Sequence, residues 1–357
     1  MEQRKHEMGL LDLMGRPAFC AAGGRIIRVN DAAAAFGLAA EMELSSLLMT
    51  GGEEYDVFES GCLYLTLSLN GQRLGASVTR LEEYDVFCLE ELSDSRELRA
   101  MALAARELRT PLTTVMITAQ RLFPVSGLED APDTREQVAQ INRGLLQILR
   151  VIGNMSDAGH YAASPARMET VNMPGLLDEI FTKAAALVEH TQIRLSYEGD
   201  PQAVYCLADR ECLERAVLNM ISNAIKFSGP GDTIQAKLSR RGQKFYLSLE
   251  DSGSGIPAGI RGDVFTRYQR QCGLEDSRFG IGLGLVLIRA AAAAHGGAVL
   301  MDQPDGSGTR ITMSLSIRQG CGEVHSGFVP MDYSGEMDHA LMELSDCLPA
   351  FLYEQEL

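Results

Sequence analysis

The stretch NMISNAIKFS at residues 219–228 lies on an apolar helical pattern, and it is the first of four pieces that decide the fold of this chain. The second piece, DSGSGIP at 251–257, follows a strand-like run at 245–250. The third is FTRYQR at 265–270 and the fourth is GIGLGL at 280–285. A single glycine cluster carries little information because glycine-rich turns are common. Four such pieces in this order indicate one pocket assembled from separated parts of the chain.

These pieces resemble the N, G1, F and G2 boxes of sensor histidine kinases, within the ATPase superfamily that includes gyrase, Hsp90 and mismatch-repair ATPases. The resemblance extends over residues 94–317, with a weaker one over 15–92. It implies ATP and Mg²⁺ as cofactors and an α/β-sandwich ATP-binding domain. The alternative is a glycine-rich α/β domain whose turns bind no nucleotide.

The residue types of the first piece suit Mg-ATP. Mg²⁺ prefers oxygen ligands and usually takes only one or two from protein, the rest coming from phosphates and water. The amide oxygen of Asn223 can supply one without adding negative charge beside the triphosphate, and the resemblance gives Asn223 this role as the magnesium ligand. Asn219 lies one helical turn earlier on the same face. Lys226 would offset phosphate charge.

The second piece is expected to hold the base. In this motif Asp251 would accept a hydrogen bond from the adenine amino group, while Gly253 and Gly255 let the backbone approach the base closely. The resemblance adds Arg270 of the third piece and Thr309, which follows a closing glycine turn, to the expected ATP contacts.

The fourth piece is expected to meet the phosphates. Gly280, Gly282 and Gly284 lead into a helical pattern at residues 285–294, and the free amides of a helix N-terminus suit phosphate oxygens. Residues 271–279 would then form a mobile lid.

Composition narrows the class of protein. The net charge of −16 argues against nucleic acid as a partner, and there is no apolar run of the ~18 residues that a membrane span needs. The eight cysteines form no Cys-x-x-Cys pair, so neither a zinc site nor a disulfide framework is indicated. These features, and a start that does not resemble a signal peptide, predict a reduced, cytoplasmic protein.

The overall prediction is an α+β multidomain chain. Residues 1–93 show a leading helix, a hairpin, short helices and a three-strand meander, an order that resembles a PAS-like α/β sensor domain. In that region Asn30 is expected to cap a helix. Residues 94–165 form a helical hairpin, residues 166–317 the ATP-binding domain and residues 318–357 an acidic tail. The hexapeptide EEYDVF occurs at both 53–58 and 82–87, and we interpret this match as coincidence.

The helical hairpin carries two apolar seams with the alternating steps of three and four that are typical of a coiled coil. Too little surface is available for the hairpin to be stable alone, so pairing with a second chain into a four-helix dimerisation bundle is expected. A monomeric hairpin packed on its neighbours is the alternative. The seam positions are Leu98, Met101, Ala105, Leu108, Leu112, Val115, Ala119 and Leu122 in the first helix, and Val138, Ile141, Leu145, Ile148, Ile152 and Met155 in the second.

The stretch ARELRTPL at 105–112 resembles the histidine kinase H box except at one position. Arg106 stands where the family has its phosphate-accepting histidine. A neutral imidazole nitrogen can attack a γ-phosphoryl group, whereas a guanidinium is always protonated and has no free lone pair. Autophosphorylation at Arg106 is therefore not expected.

The other functional positions of the box are retained. The resemblance makes Glu107 the general base toward the histidine, and Glu107 with Thr110 matches the pattern that orients a water to dephosphorylate a bound response regulator. That reaction does not need the histidine as a nucleophile. An ordinary exposed helix face is the alternative for both residues.

The acidic tail allows two interpretations. Residues 319–357 contain eight acidic residues and no lysine or arginine. Helical spacing of Leu341, Leu344 and Leu348 indicates docking, whereas the composition is also typical of a disordered extension.

Three functions remain open from the sequence. The expected partner is a second copy in a homodimer or another histidine kinase in a heterodimer. An active kinase would phosphorylate an intact histidine on the partner protomer of a heterodimer. A phosphatase would act on the receiver domain of a response regulator. A pseudokinase would bind ATP and regulate its partner without catalysis.

Overall fold

A computed structural model gives the fold. It describes residues 11, 14–91, 103–105, 107–109, 112, 113, 115, 132–163, 166–256, 265, 283–304, 307–319 and 338–354. Within 132–163, side chains are described for 134–157. Most of the predicted leading helix and the whole predicted lid at 271–279 lie outside these residues.

The N-terminal part of the chain is an antiparallel sheet with short helices. Its strands occur in the spatial order β2-β1-β6-β5-β4, with β3 paired to one half of β4. The predicted hairpin and meander are thus confirmed as elements. Asn30 caps the first helix as expected, because its side-chain oxygen accepts hydrogen bonds from the backbone N–H groups of Ala33 and Ala18. The elements are β1 Ala18–Ala22, β2 Arg25–Val29, α1 Asp31–Ala34, β3 Leu48–Thr50, α2 Gly52–Val57, β4 Cys62–Leu69, β5 Gln72–Arg80 and β6 Asp85–Glu91.

The C-terminal half is an α/β sandwich. Its sheet runs β12-β13-β11-β10-β8, with a separate β7–β9 pair, and its helices pack on one face. Strand β11 alternates intermediate and buried residues, as expected for a strand with one face on a core. The elements are β7 Glu169–Asn172, α4 Met173–Val188, β8 Arg194–Glu198, β9 Tyr205–Ala208, α5 Arg210–Phe227, β10 Thr233–Arg241, β11 Lys244–Asp251, α6 Leu283–Ala294, β12 Val299–Asp302 and β13 Thr309–Ser316; α3 is introduced below.

The two sheets are joined edge to edge. Strand β12 pairs antiparallel with β4, Val299 lying opposite Tyr64, so eleven described strands form one continuous sheet. Two ion pairs reinforce the junction. Arg289 of α6 lies 2.8 Å from Glu90 of β6, and Lys244 lies 2.8 Å from Glu54. The N-terminal sheet is therefore tied directly to α6, the helix that begins within the fourth piece.

The second helix of the predicted hairpin is α3, Pro132–Ala163. Its predicted seam divides between two environments. Val138, Leu145 and Ile152 are buried within the chain, whereas Ile141 and Ile148 are 45% and 49% exposed. The described residues of the first helix, at 103–105, 107–109, 112, 113 and 115, are helical.

The described part of the acidic tail is docked. This C-terminal segment, residues 338–354, contains helix α7 His339–Glu343 and a 3₁₀ turn at Ala350–Tyr353. Its anchors Leu344, Leu348 and Tyr353 are each at most 1% exposed. They join the core that α3 and α5 also build, so docking holds for this segment.

Candidate nucleotide-binding site

Helix α5 positions the first set of predicted site residues. Asp209 caps it by accepting from the N–H of Cys212 at 3.0 Å, and Lys226 lies in its last turn, where a cation suits the helix dipole. Asn219 is 1% exposed and Asn223 is intermediate. Because the two asparagines are four residues apart, both amides lie on one face of this capped helix.

The first turn of α6 meets these amides at Gly284. A Cβ added at Gly284 would lie 3.0 Å from Oδ1 of Asn219 and 3.7 Å from Nδ2 of Asn223. Glycine is thus needed for the close approach of the two helices. The structure brings one residue of the fourth piece against the two asparagines of the first, as the pocket requires.

The second piece packs against the C-terminal end of α5. Gly253 packs so closely on the carbonyl oxygen of Phe227 that a Cβ there would collide with it, and the N–H of Ser254 donates to the same oxygen at 3.2 Å. The N–H of Gly308, in the closing turn, donates to the carbonyl of Gly253 at 3.1 Å. Gly255 has φ of 71°, a left-handed conformation that favours glycine.

Asp251 ends β11 beside this turn and is 7% exposed. Its Oδ1 accepts from the N–H of Gly253 at 3.0 Å. Burial raises the pKa of Asp251 to about 6, although backbone hydrogen bonds from Gly253 and Thr309 act to lower it. The carboxylate of Asp251 could therefore accept a hydrogen bond from a ligand donor, as the expected contact with the adenine amino group requires.

Three cations and three carboxylates, none of them among the predicted ATP contacts except Lys226, form a cluster beside Asn219. Arg150 of α3 pairs with Glu343 at 3.1 Å and with Asp346, while Arg215 pairs with Glu343 at 3.3 Å and with Asp157. Lys226 Nζ lies 2.7 Å from Oδ2 of Asp346.

The asparagine of the first piece belongs to the same cluster. Nη2 of Arg150 donates to Oδ1 of Asn219 at 3.3 Å, and Nδ2 of Asn219 lies 3.5 Å from Oε2 of Glu343. Sequence reasoning missed Arg150, Arg215 and the three acidic partners. The available signal was an arginine inside the largely apolar run at 145–152 of α3, together with the leucine spacing of the tail.

The donor set fits Mg-ATP. A half-buried amide beside a lysine offers one oxygen ligand and one cation, which matches how proteins hold Mg²⁺ that is bound to phosphates. Asn219, Asn223 and Lys226 would hold the phosphate side, with Asp251, Gly253, Gly255 and Thr309 on the base side.

Several predicted residues lie outside the described residues: Arg106, Thr110, Arg270, Gly280 and Gly282. Glu107 is described, helical and exposed. The structure therefore leaves the arrangement of the H-box-like stretch as a prediction.

Residues 208–319 match the family model for histidine kinase-, DNA gyrase B- and HSP90-like ATPases. Sensor protein KdpD of Mycobacterium tuberculosis (strain H37Rv) is 26% identical over 235 residues, which are 64% of this chain and 27% of KdpD. The histidine-protein kinase/phosphatase MprB of Mycolicibacterium smegmatis is 27% identical over 63% of this chain and 46% of that protein. The chain therefore spans less than half the length of these two relatives.

Among solved structures, full-length ShkA in complex with AMPPNP is similar in fold over 63% of this chain and 47% of that chain, with a TM-score of 0.50 and 22% identity. Residues 208–319 thus resemble the ATPase domain of histidine kinases, DNA gyrase B and HSP90, and the similarity to ShkA agrees with an α/β-sandwich fold. Within the part of the chain that the structure describes, no helix has both the length and the apolarity to cross a membrane.

Proposed function

We propose that this chain binds Mg-ATP between α5, the turn after β11 and the start of α6, and that it acts in two-component signal transduction. The observation that carries the proposal is the approach of Gly284 to Asn219 and Asn223, with the turn that follows Asp251 packed against the C-terminal end of the same helix. The bound nucleotide would supply a γ-phosphoryl group for transfer. The protein's own residues would contribute position and charge neutralisation.

Arg106 determines which phosphoryl-transfer reactions this chain can perform. Because a guanidinium cannot accept a phosphoryl group, we propose that the chain does not phosphorylate itself at this position. It acts in trans on an intact histidine of a partner protomer, or it removes phosphate from a response regulator through Glu107 and Thr110. The relative MprB is named a histidine-protein kinase/phosphatase, which supports both activities as candidates for this chain.

A second candidate function is a non-catalytic pseudokinase that binds ATP and regulates a partner kinase or regulator. The same substitution at Arg106 favours it. The nucleotide residues are expected to bind ATP in either case, so binding alone does not separate the two.

Dimerisation is part of the proposal. Ile141 and Ile148 on α3 and Leu108 and Val115 on the preceding helix are each more than 40% exposed in the single chain, at positions of the predicted seams. A second copy, or another histidine kinase, would cover them in a four-helix bundle. A receiver domain is the expected further partner, in a cytoplasmic setting.

Incubation with γ-³²P-labelled ATP and Mg²⁺ tests the direction of transfer. We expect no acid-labile label on the wild type and clear label on Arg106→His, because that change restores a nucleophile beside the ATP domain. Label on the wild type would contradict the account of Arg106.

An acceptor-only chain sharpens the experiment. Arg106→His combined with Asn223→Ala carries a histidine but lacks the proposed magnesium ligand. If the chain acts in trans, mixing it with wild type labels the acceptor-only chain, whereas a pseudokinase leaves it unlabelled.

A further inference from the structure

The C-terminal segment, residues 338–354, docks on a surface that is built to receive it. Polar side chains of α3 donate to its backbone carbonyls: Arg143 Nε to Ser345 at 2.9 Å, Gln147 to Ser345 at 3.2 Å and Asn142 to Tyr353 at 3.0 Å. With three buried apolar anchors, these bonds hold the segment in one register. Its position is therefore specified by polar side chains of α3 together with its own apolar anchors.

In this docked position, two carboxylates of the segment contact residues on the phosphate side of the proposed site or beside it. Glu343 is 1% exposed and lies between Arg150, Arg215 and Asn219. Asp346 pairs with Lys226 and Arg150. Burial acts to raise the pKa of Asp346, but the opposing charges of Arg150 and Lys226 outweigh it and the pKa is lowered, so this side chain is an anion in the docked state.

The triphosphate needs the same groups. Lys226 cannot give its full charge to a phosphate while it holds Asp346 at 2.7 Å, and Asn219 is hydrogen-bonded to Arg150 and near Glu343. Two fixed carboxylates beside a triphosphate would also repel it. If the triphosphate replaces the carboxylates of the segment, the buried arginines still have an anion nearby. This avoids the large free-energy cost of an unpaired buried charge.

We propose that residues 338–354 are an internal competitor of ATP, in which Asp346 and Glu343 engage Lys226 and Asn219, the cation and the amide that the triphosphate requires. The proposal rests on the Mg-ATP site described above. Competition of this kind is reciprocal: the docked segment weakens nucleotide binding, and the nucleotide weakens docking by the same factor, typically about 5–150-fold. A partner that captures the segment would then increase ATP binding.

Charge-neutral variants of nearly equal shape test this competition. Glu343→Gln with Asp346→Asn keeps the side-chain volumes and removes the anions. We expect calorimetry with Mg-ATP to show about tenfold or greater tightening. The matched control is Glu354→Gln, which breaks the Arg135–Glu354 pair of the same segment away from Asn219 and should leave the affinity unchanged. Unchanged or weaker binding in the double variant, with measurable binding in the wild type, overturns the competition alone.

A measurement on the wild type removes any dependence on how the variant folds. Amide hydrogen exchange at residues 340–348 should become faster when saturating Mg-ATP is added. Equal protection with and without bound nucleotide overturns the proposal. If neither wild type nor variants bind Mg-ATP at millimolar concentration, the proposed function itself fails and the competition fails with it.

Discussion

The base side and the phosphate side of the proposed nucleotide site satisfy their polar groups in different ways. At the base end, Asp251 is held by backbone N–H groups of its own turn and of the neighbouring strand, Gly253 and Thr309. At the phosphate end, Asn219 and Lys226 are engaged by side chains about 120 residues further along the chain. Local contacts prepare one end for a ligand, while a distant segment controls the other.

This difference indicates which side of the site can be regulated. A site whose residues are held only by neighbouring residues of the same motifs is formed as soon as the domain folds. A site whose cations are held by another segment depends on whether that segment stays docked. The junction of β4 with β12 and the Arg289–Glu90 pair add a second connection, from the N-terminal sheet to the C-terminal sheet and α6.

The largest expected effect comes from Asn223→Ala. Loss of the proposed magnesium ligand should weaken Mg-ATP binding by about 100-fold or more. Calorimetry with and without EDTA checks it, because the difference between wild type and variant should disappear when the metal is removed. An unchanged Mg-ATP affinity would remove Asn223 from the site and leave the phosphate end without its metal ligand.

Asp251→Asn tests the base end separately. The variant should lose about 10–100-fold in ATP affinity, since a hydrogen bond to a charged acceptor is worth roughly 1.5–3 kcal/mol. Its affinity for GTP should change little. A parallel loss for ATP and GTP would show that Asp251 supports the fold of the turn rather than reading the base.

Gly284→Ala tests the contact between α6 and the asparagines. The added methyl group would lie 3.0 Å from Asn219, and overpacking of this kind costs about 1–3 kcal/mol. Both thermal stability and ATP affinity should fall. Gly144→Ala in α3 is the matched control, because nothing lies within 4 Å of its Cβ and it should be neutral or stabilising. Equal behaviour of the two variants would contradict the close approach.

The smallest expected effect is a pH dependence. With the pKa of Asp251 at about 6, its carboxylate is mostly ionised at pH 7 and mostly protonated at pH 5. Because the ionised form accepts from the adenine amino group, ATP affinity should fall roughly tenfold as pH decreases across this range. Asp251→Asn should show a flatter profile. An identical profile in the variant would assign the titration to another group.

Where local signals agree, the sequence predicted the structure closely. The apolar helical pattern of the first piece lies on α5, and the strand-like run at 245–250 matches β11. A capping aspartate, an apolar face and a basic last turn all point to the same helix ends. The described motifs of the candidate site lie on such elements, which is why their position in the fold could be predicted.

Long-range contacts explain what the sequence left open. The hexapeptide EEYDVF lies in helix α2 at its first copy and enters strand β6 at its second, where Tyr55 of one copy donates to Asp85 of the other. Tertiary packing therefore decides what these six residues form. The β4–β12 junction uses backbone hydrogen bonds, which leave little side-chain signature. The pairing of Arg150 with Glu343 joins residues 193 positions apart.

Titration of the wild-type chain with ATP in the presence of Mg²⁺, followed by calorimetry, tests the central claim most directly. The account predicts saturable binding of one nucleotide per chain that is lost when EDTA removes the metal and is weaker for GTP. No detectable heat with millimolar Mg-ATP, for a chain whose circular dichroism shows it folded, would contradict it.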